Sequence, residues 1–201
     1  MIRIAVFVSG GGTNLQALLD AQESGTLHSG RIALVVSSRP GVFALERAAK
    51  AGVPAVVVSR ADCAGQAEFE EKLLAALAEY GIDMIVLAGF LSILSADFTA
   101  RFPQRILNVH PSLIPAFCGR GYYGLKVHEA ALARGVKITG ATVHLVNEIP
   151  DGGQILLQKA VEVLPGDTPE ILQRRVMEQA EWVLLPRAAE LVAARLEQER
   201  S

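Results

Sequence analysis

The hydrophobic positions along the 201-residue chain fall into two kinds of run that alternate with each other. Five segments, "IRIAVFV", "RIALVVS", "PAVVVS", "DMIVLAG" and "RILNVH", are apolar and β-branched almost throughout and stop at Gly, Ser, Pro or polar residues. A strand that is apolar at nearly every position is covered on both faces, whereas a strand with one wet face alternates. Between these runs lie stretches such as "NLQALLDAQESG" and "QAEFEEKLLAALAEYG", with apolar residues three and four positions apart and a closing Gly, as in amphipathic helices. Strand and helix in turn predict an α/β fold: a mostly parallel, twisted, Rossmann-like sheet with helices on both faces. After the middle the pattern changes. "KITGATVHLV" and "QILLQKAVEV" flank "NEIPDGG", whose Pro, Asp and Gly pair predict a turn, so an antiparallel hairpin is expected to extend the sheet. The tail, "TPEILQRRVMEQAEWVLLPRAAELVAARLEQER", is expected to be helical, with Thr168 as N-cap, Pro169 at the first helical position and Pro186 kinking or splitting it.

Composition narrows the class. A chain that is 51% hydrophobic and 20% charged, with a formal net charge of -2, suits one domain over residues 1–201 with a sizeable core. It has no basic excess with which to hold a polyanion, so no nucleic-acid partner is expected. The opening "MIRIAVFVSGGG" reaches its glycines before a membrane span's roughly 20 residues could form, and it reads as a first strand with no leader and no membrane partner. Cys63 and Cys118 share no metal-ligand spacing and are expected as two free thiols in a reducing cytoplasm. The chain shows no internal repeat, linker or low-complexity tract, and as an assembly a monomer or a homodimer is expected.

In an open parallel sheet, ligands bind beyond the carboxyl ends of the strands. That edge collects "SGGGTN" after the first strand, "GFLSIL" after the fourth and "NVHPSLIP" at the fifth. "SGGGTN" leads into a helix and has two readings. One is a phosphate cradle of backbone N–H groups helped by Thr13 and Asn14; the other is a tight capped turn. It lacks the Lys-Ser/Thr ending of a Walker loop and the third Gly of a dinucleotide fingerprint, so a phosphate monoester suits it better than NAD. In the fifth run Asn108 and His110 stand two positions apart, which on a strand puts both on one face. An amide donor beside an imidazolium suits the oxyanion of acyl transfer; the alternative is that both satisfy backbone groups around the Pro-bounded turn. Asp151, in the hairpin turn near the same edge, serves either that turn or His110, whose pKa a nearby carboxylate would raise. His28 reads as solvated and His128 as a helix-surface residue. His144 reads as a site support or a satisfied core histidine, and Trp182 as packing of the last helix.

Together "SGGGTNLQAL", "LAGFLSILS", "ILNVHPSLIPAF" and "TGATVHLVNEIPDGGQIL" resemble, in order and nearly end to end, the phosphoribosylglycinamide formyltransferases, small folate-dependent enzymes of purine synthesis. "LNVHPSLIP" alone is shared with other formyltransferases that use 10-formyltetrahydrofolate. The resemblance implies metal-free formyl transfer from that co-substrate to the glycinamide amine by direct attack, with Asn108, His110 and Asp151 catalytic. It also implies ribotide contacts from Gly12, Thr13, Asn14 and Glu181, and folate contacts from Leu91, Ser92, Ile93, Leu94, Asn108 and Gln66. Ser92 and Gln66 stand where many relatives carry basic residues, and "CGRGYYGLKVHEAAL" is longer than the usual segment. A methionyl-tRNA formyltransferase would carry a further basic domain, and a formyltetrahydrofolate deformylase a regulatory domain ahead of this one. A phosphate-binding module without catalysis would leave Asn108, His110 and Asp151 idle.

Overall fold

Strands β1 (Ile2–Val8), β2 (Gly30–Ser37), β3 (Ala55–Val57), β4 (Met84–Leu87), β5 (Ile106–His110), β6 (Ile138–Leu145) and β7 (Ile155–Glu162) make one sheet in the computed structural model, which describes residues 1–200. The spatial order is β3-β2-β1-β4-β5-β6-β7. The first five strands are parallel, β6 runs antiparallel to β5, and β7 returns antiparallel to β6, as the change of pattern predicts. Around the sheet lie α1 (Thr13–Glu23), α2 (Phe43–Lys50), α3 (Gln66–Glu79), α4 (Ala96–Ala100), α5 (Leu125–Arg134), α6 (Pro169–Val176) and α7 (Trp182–Gln198).

The nearly continuous apolar runs are buried on both sides. Along β1, Ile2, Ile4, Val6 and Val8 face a core shared with Leu15 and Leu18 of α1 and Leu185, Ala189 and Val192 of α7. Ala5 and Phe7 face the opposite core, with Phe69, Leu73 and Leu77 of α3 and Phe98 of α4. Each such large apolar side chain removed from water contributes about 1.5–3 kcal/mol, which fixes the layers and the strand ends between them. The run "PAVVVS" departs from the expectation of cover on both faces: β3 is only three residues long and lies at the sheet edge, leaving Val57 exposed.

The helical tail also departs in detail. Thr168 caps α6, its hydroxyl accepting from the Ile171 N–H at 3.3 Å, with Pro169 first in the helix. Pro186 lies inside α7 without splitting it; the irregularity is a π-helical turn over Met177–Glu181, just ahead of α7. The N–H that proline lacks would have bonded the carbonyl of Trp182, the first residue of α7, so the missing bond falls at the seam with that turn.

At the β5–β7 side one face changes character. Leu107 and Val109 of β5 and Ala141, Val143 and Leu145 of β6 join the α7-side core. The alternate positions, Asn108, His110, Thr142 and His144, are polar, and the last three are buried. Antiparallel pairing sets Asn108 opposite His144, and His110 opposite Thr142. Pairing with β7 sets Thr142 opposite Gln158, and the register slips between Val143 and His144. A bulge of this kind re-aims side chains beside a site.

Candidate active site

Three side chains from the polar face converge on Asp151. Asn108 Nδ2 lies 3.5 Å from its Oδ1, His144 Nε2 3.5 Å from the same oxygen, and His110 Nδ1 3.6 Å from Oδ2. Asp151 is brought there by the β6–β7 turn: Asn147 Oδ1 accepts from the Ile149 N–H at 3.0 Å, and Asp151 itself has a φ of +55°. His144 Nδ1 donates to its neighbour's carbonyl on Leu145 at 2.8 Å, and Nε2 lies between Asn108 Nδ2 at 3.2 Å and Asp151 Oδ1. His144 is therefore a support of the site.

The backbone between β5 and α5 closes the arrangement. His110 Nε2 donates to the Phe117 carbonyl at 2.8 Å, and the Gly119 N–H donates to Asp151 Oδ2 at 2.8 Å. Both nitrogens of His110 thus face acceptors, and Nδ1 is the one beside the carboxylate. Burial pushes the His110 imidazole below its ordinary value, with Asp151 and the Phe117 carbonyl pulling the other way. Asp151 acts in the direction expected of it, but desolvation outweighs it. Burial also works to raise the Asp151 carboxyl, yet His144, the charge of His110 and the Gly119 N–H hold it below the usual range.

A cleft of about 640 Å³ runs from this cluster along the strand ends. Asn108, His110 and Asp151 line one end; Asn14, Glu181 and Arg39 line the same cleft from the β1 and β2 ends and the π turn. Asn14 Nδ2 donates to Glu181 Oε2 at 2.7 Å, and burial pushes the Glu181 carboxyl up to about 7 against that bond. Leu91, Ser92 and Ile93 form a wall after β4, Leu91 and Ile93 presenting exposed apolar surface. The wall is held where Ser9 Oγ, itself 2.6 Å from Ser38 Oγ, accepts the Leu91 N–H at 3.0 Å.

Four of the residues singled out from the sequence lie off this cleft. Leu94 is buried in the α3-side core. Gln66 sits behind the wall, donating to the Ile93 carbonyl at 3.0 Å and to Glu70 at 2.6 Å. Thr13 borders a smaller neighbouring cavity with Gln16, Asp20, Arg47 and Trp182. Gly12, with a φ of +72°, turns its α-carbon against α2, where a Cβ would lie 2.7 Å from that of Ala44; packing there requires glycine. His128 is not a surface residue. It is fully buried on α5, lines the cleft, and is pushed down to about 4 by burial and the charge of His110. Residue type gives no signal for the contributions of Phe117 and Gly119, which are made by backbone. A signal for His144 and Thr142 was present: "TVH" repeats the two-residue spacing of "NVH" on the facing strand. Arg39 carries a cation with no ion-pair partner among the described residues. Among those residues no group of His, Cys, Asp and Glu is placed to hold a metal ion, and no helix is long and apolar enough to cross a membrane.

A formyl transferase family profile matches residues 2–188. The chain belongs to the formyl transferase family. Among curated members, phosphoribosylglycinamide formyltransferase, chloroplastic, of Arabidopsis thaliana is 40% identical over 178 residues, covering 88% of this chain and 61% of the plant protein. The trifunctional purine biosynthetic protein adenosine-3 of Homo sapiens is 42% identical over 192 residues, 96% of this chain and 18% of that protein. The chain therefore spans about three fifths of the plant relative and under a fifth of the human one. Among solved formyl transferases, glycinamide ribonucleotide transformylase 1 from Symbiobacterium toebii aligns with a TM-score of 0.90 at 44% identity, covering 97% of this chain and 89% of that one. The sheet order and the hairpin of this chain are thus those of a formyl transferase fold.

Proposed function

We propose that the chain is a phosphoribosylglycinamide formyltransferase, which moves the formyl group of 10-formyltetrahydrofolate to the ribotide's amine. The observation that carries the reading is the convergence of Asn108, His110 and His144 on one carboxylate, in a cleft shared with Asn14, Glu181 and Arg39. Relatives covered nearly end to end by this chain carry the same activity in their names.

In this reading the amine nitrogen attacks the formyl carbon and forms the new N–C bond, while the carbonyl electrons move to oxygen. Asn108 Nδ2–H and His110 Nδ1–H stabilise that oxyanion. Collapse breaks the bond to the folate nitrogen, and the proton lost by the amine reaches that nitrogen by way of His110. An imidazolium made more acidic by burial gives up its proton more readily, and the ionised Asp151 beside it balances its charge. The apolar wall of Leu91 and Ile93 suits the flat folate ring system, and Asn14 and Arg39 suit the ribotide phosphate. No covalent enzyme intermediate and no resident metal are invoked.

The test is the absorbance of released folate product with and without the ribotide. Release that requires the ribotide, with formylated ribotide recovered in equal amount, is the expected result. Release without it would replace the transferase by a deformylase, and no release would leave a binding module.

A further inference from the structure

Thr142 lies beneath the site, fully buried on β6, and its hydroxyl divides its bonding capacity between the connection that covers His110 and Gln158 of β7. It donates to the Ser112 carbonyl at 2.7 Å and accepts the Ile114 N–H at 3.1 Å and the Gln158 Nε2–H at 3.0 Å. Gln158 Nε2 also donates to the Ile114 carbonyl at 3.1 Å, and Ser112 Oγ donates to the Ala116 carbonyl at 2.6 Å. The next carbonyl in the chain, that of Phe117, is the one that holds His110 Nε2. Phe117 has a φ of +50°, a backbone state a bulky residue keeps only when its surroundings impose it. The bonds thus run from Gln158 of β7 to Thr142 of β6 and into the connection at Ser112 and Ile114, then on to Ala116, the residue before Phe117.

We propose that Thr142, with Gln158 and Ser112, is a positioning residue that braces the 112–117 connection so that the Phe117 carbonyl stays on His110 Nε2 and turns Nδ1 toward the reacting atoms. Thr142 does not line the cleft and acts only through the connection. The groups that face His110 are Asp151 from the β6–β7 turn, His144 from β6 and His128 from α5, and none of them bonds to Thr142. Removing the brace therefore withdraws one favourable acceptor from the imidazolium and leaves the other charges in place.

The inference rests on the formyl-transfer reading for its kinetic arm alone, since the state of the His110 ring can be followed whatever the chain catalyses. Thr142→Val keeps the shape and deletes the hydroxyl. In ¹⁵N-histidine spectra its His110 titration is expected to move to lower pH, because the Phe117 carbonyl favours the protonated ring. Turnover should fall roughly 10–100-fold with Michaelis constants nearly unchanged, the signature of misplaced groups rather than lost binding. Thr142→Ser, which keeps the hydroxyl, should restore both readings. Should Thr142→Val fail to fold, Gln158→Leu removes the donor from the exposed end of the brace and should move both readings the same way by a smaller factor. An unshifted His110 titration in a folded Thr142→Val protein, or in Gln158→Leu where the first does not fold, would overturn the inference. Thermal destabilisation without that shift would reduce Thr142 to packing. A shift without any formyl transfer would keep the brace and remove the transferase.

Discussion

In β1, β2 and β4 almost every position on both faces of the sheet is apolar and covered by helices, whereas from β5 to β7 one face carries Asn108, His110, Thr142, His144 and Gln158 and is closed by the connection after β5. The difference follows from what each cover can supply. A helix spends its backbone groups on itself and offers neighbours an apolar stripe, which suits Ile, Val and Leu. A buried amide or imidazole needs partners or costs several kcal/mol, and an irregular connection has unspent carbonyl and N–H groups to give. Phe117 and Gly119 give theirs to His110 and Asp151. The polar half thus keeps its polar side chains buried because its cover is irregular.

The contrast is broken most severely at the polar half. Asn108→Ala and His110→Ala should each lower turnover on the order of 100- to 1000-fold with the far-ultraviolet circular dichroism unchanged, since each removes a donor to developing charge. Val86→Ala, a cavity in the apolar half, should instead cost about 1–3 kcal/mol of stability and leave turnover per folded molecule intact, as thermal unfolding and the folate assay would show. Asp151→Asn should come next, at about 10- to 100-fold at neutral pH. Asn tolerates the left-handed backbone of that turn, so the fold should persist. The sign follows from the charges: Asp151 pulls the His110 imidazole upward, so its neutralisation lowers the ring further, and activity that needs the imidazolium should recover in part as the medium becomes more acidic. A His110 titration identical in both proteins would show that Asp151 serves the turn alone.

Arg39→Gln should raise the Michaelis constant for the ribotide by about 10-fold and leave that for the folate unchanged, as loss of a charge-assisted contact to phosphate predicts. Equal changes for both substrates would remove Arg39 from the phosphate end. The smallest effect concerns Glu181. The folded chain raises the Glu181 carboxyl to about 7, from an ordinary 4.5, so between those values the native state binds more protons and stability falls as pH rises. Glu181→Gln should abolish that slope in melting temperature, and a slope kept in the variant would mean the carboxyl is not buried as described.

How much of this was legible in the sequence depends on whether residue type or backbone does the work. Continuous apolar runs announced the parallel strands, and the Pro-Asp-Gly turn announced the hairpin, because those signals arise from burial and dihedral preference. The spacing of Asn108 and His110 announced a shared face for the same reason. The spacing did not announce that Nε2 of His110 is taken by a carbonyl, since Phe117 contributes only backbone. It was also silent on His128, whose burial comes from the packing of α5, and on Gly12, whose demand is set by Ala44 across the loop. The π turn that carries Glu181 had only Pro186 as its trace, five residues downstream of Glu181.

The two ends of the cleft also differ in how far apart along the chain their partners lie. His110 meets Phe117 over 7 residues and Asn108 meets Asp151 over 43, but Asn14 meets Glu181 over 167. During synthesis the segments that form the His110 end are made close together in time. Asn14, translated among the first residues, has no Glu181 to bond until the π turn is made. The Asn14 end of the cleft is therefore tied to the last part of the chain, as is the core beneath the His110 end, where α7 packs against β5 and β6.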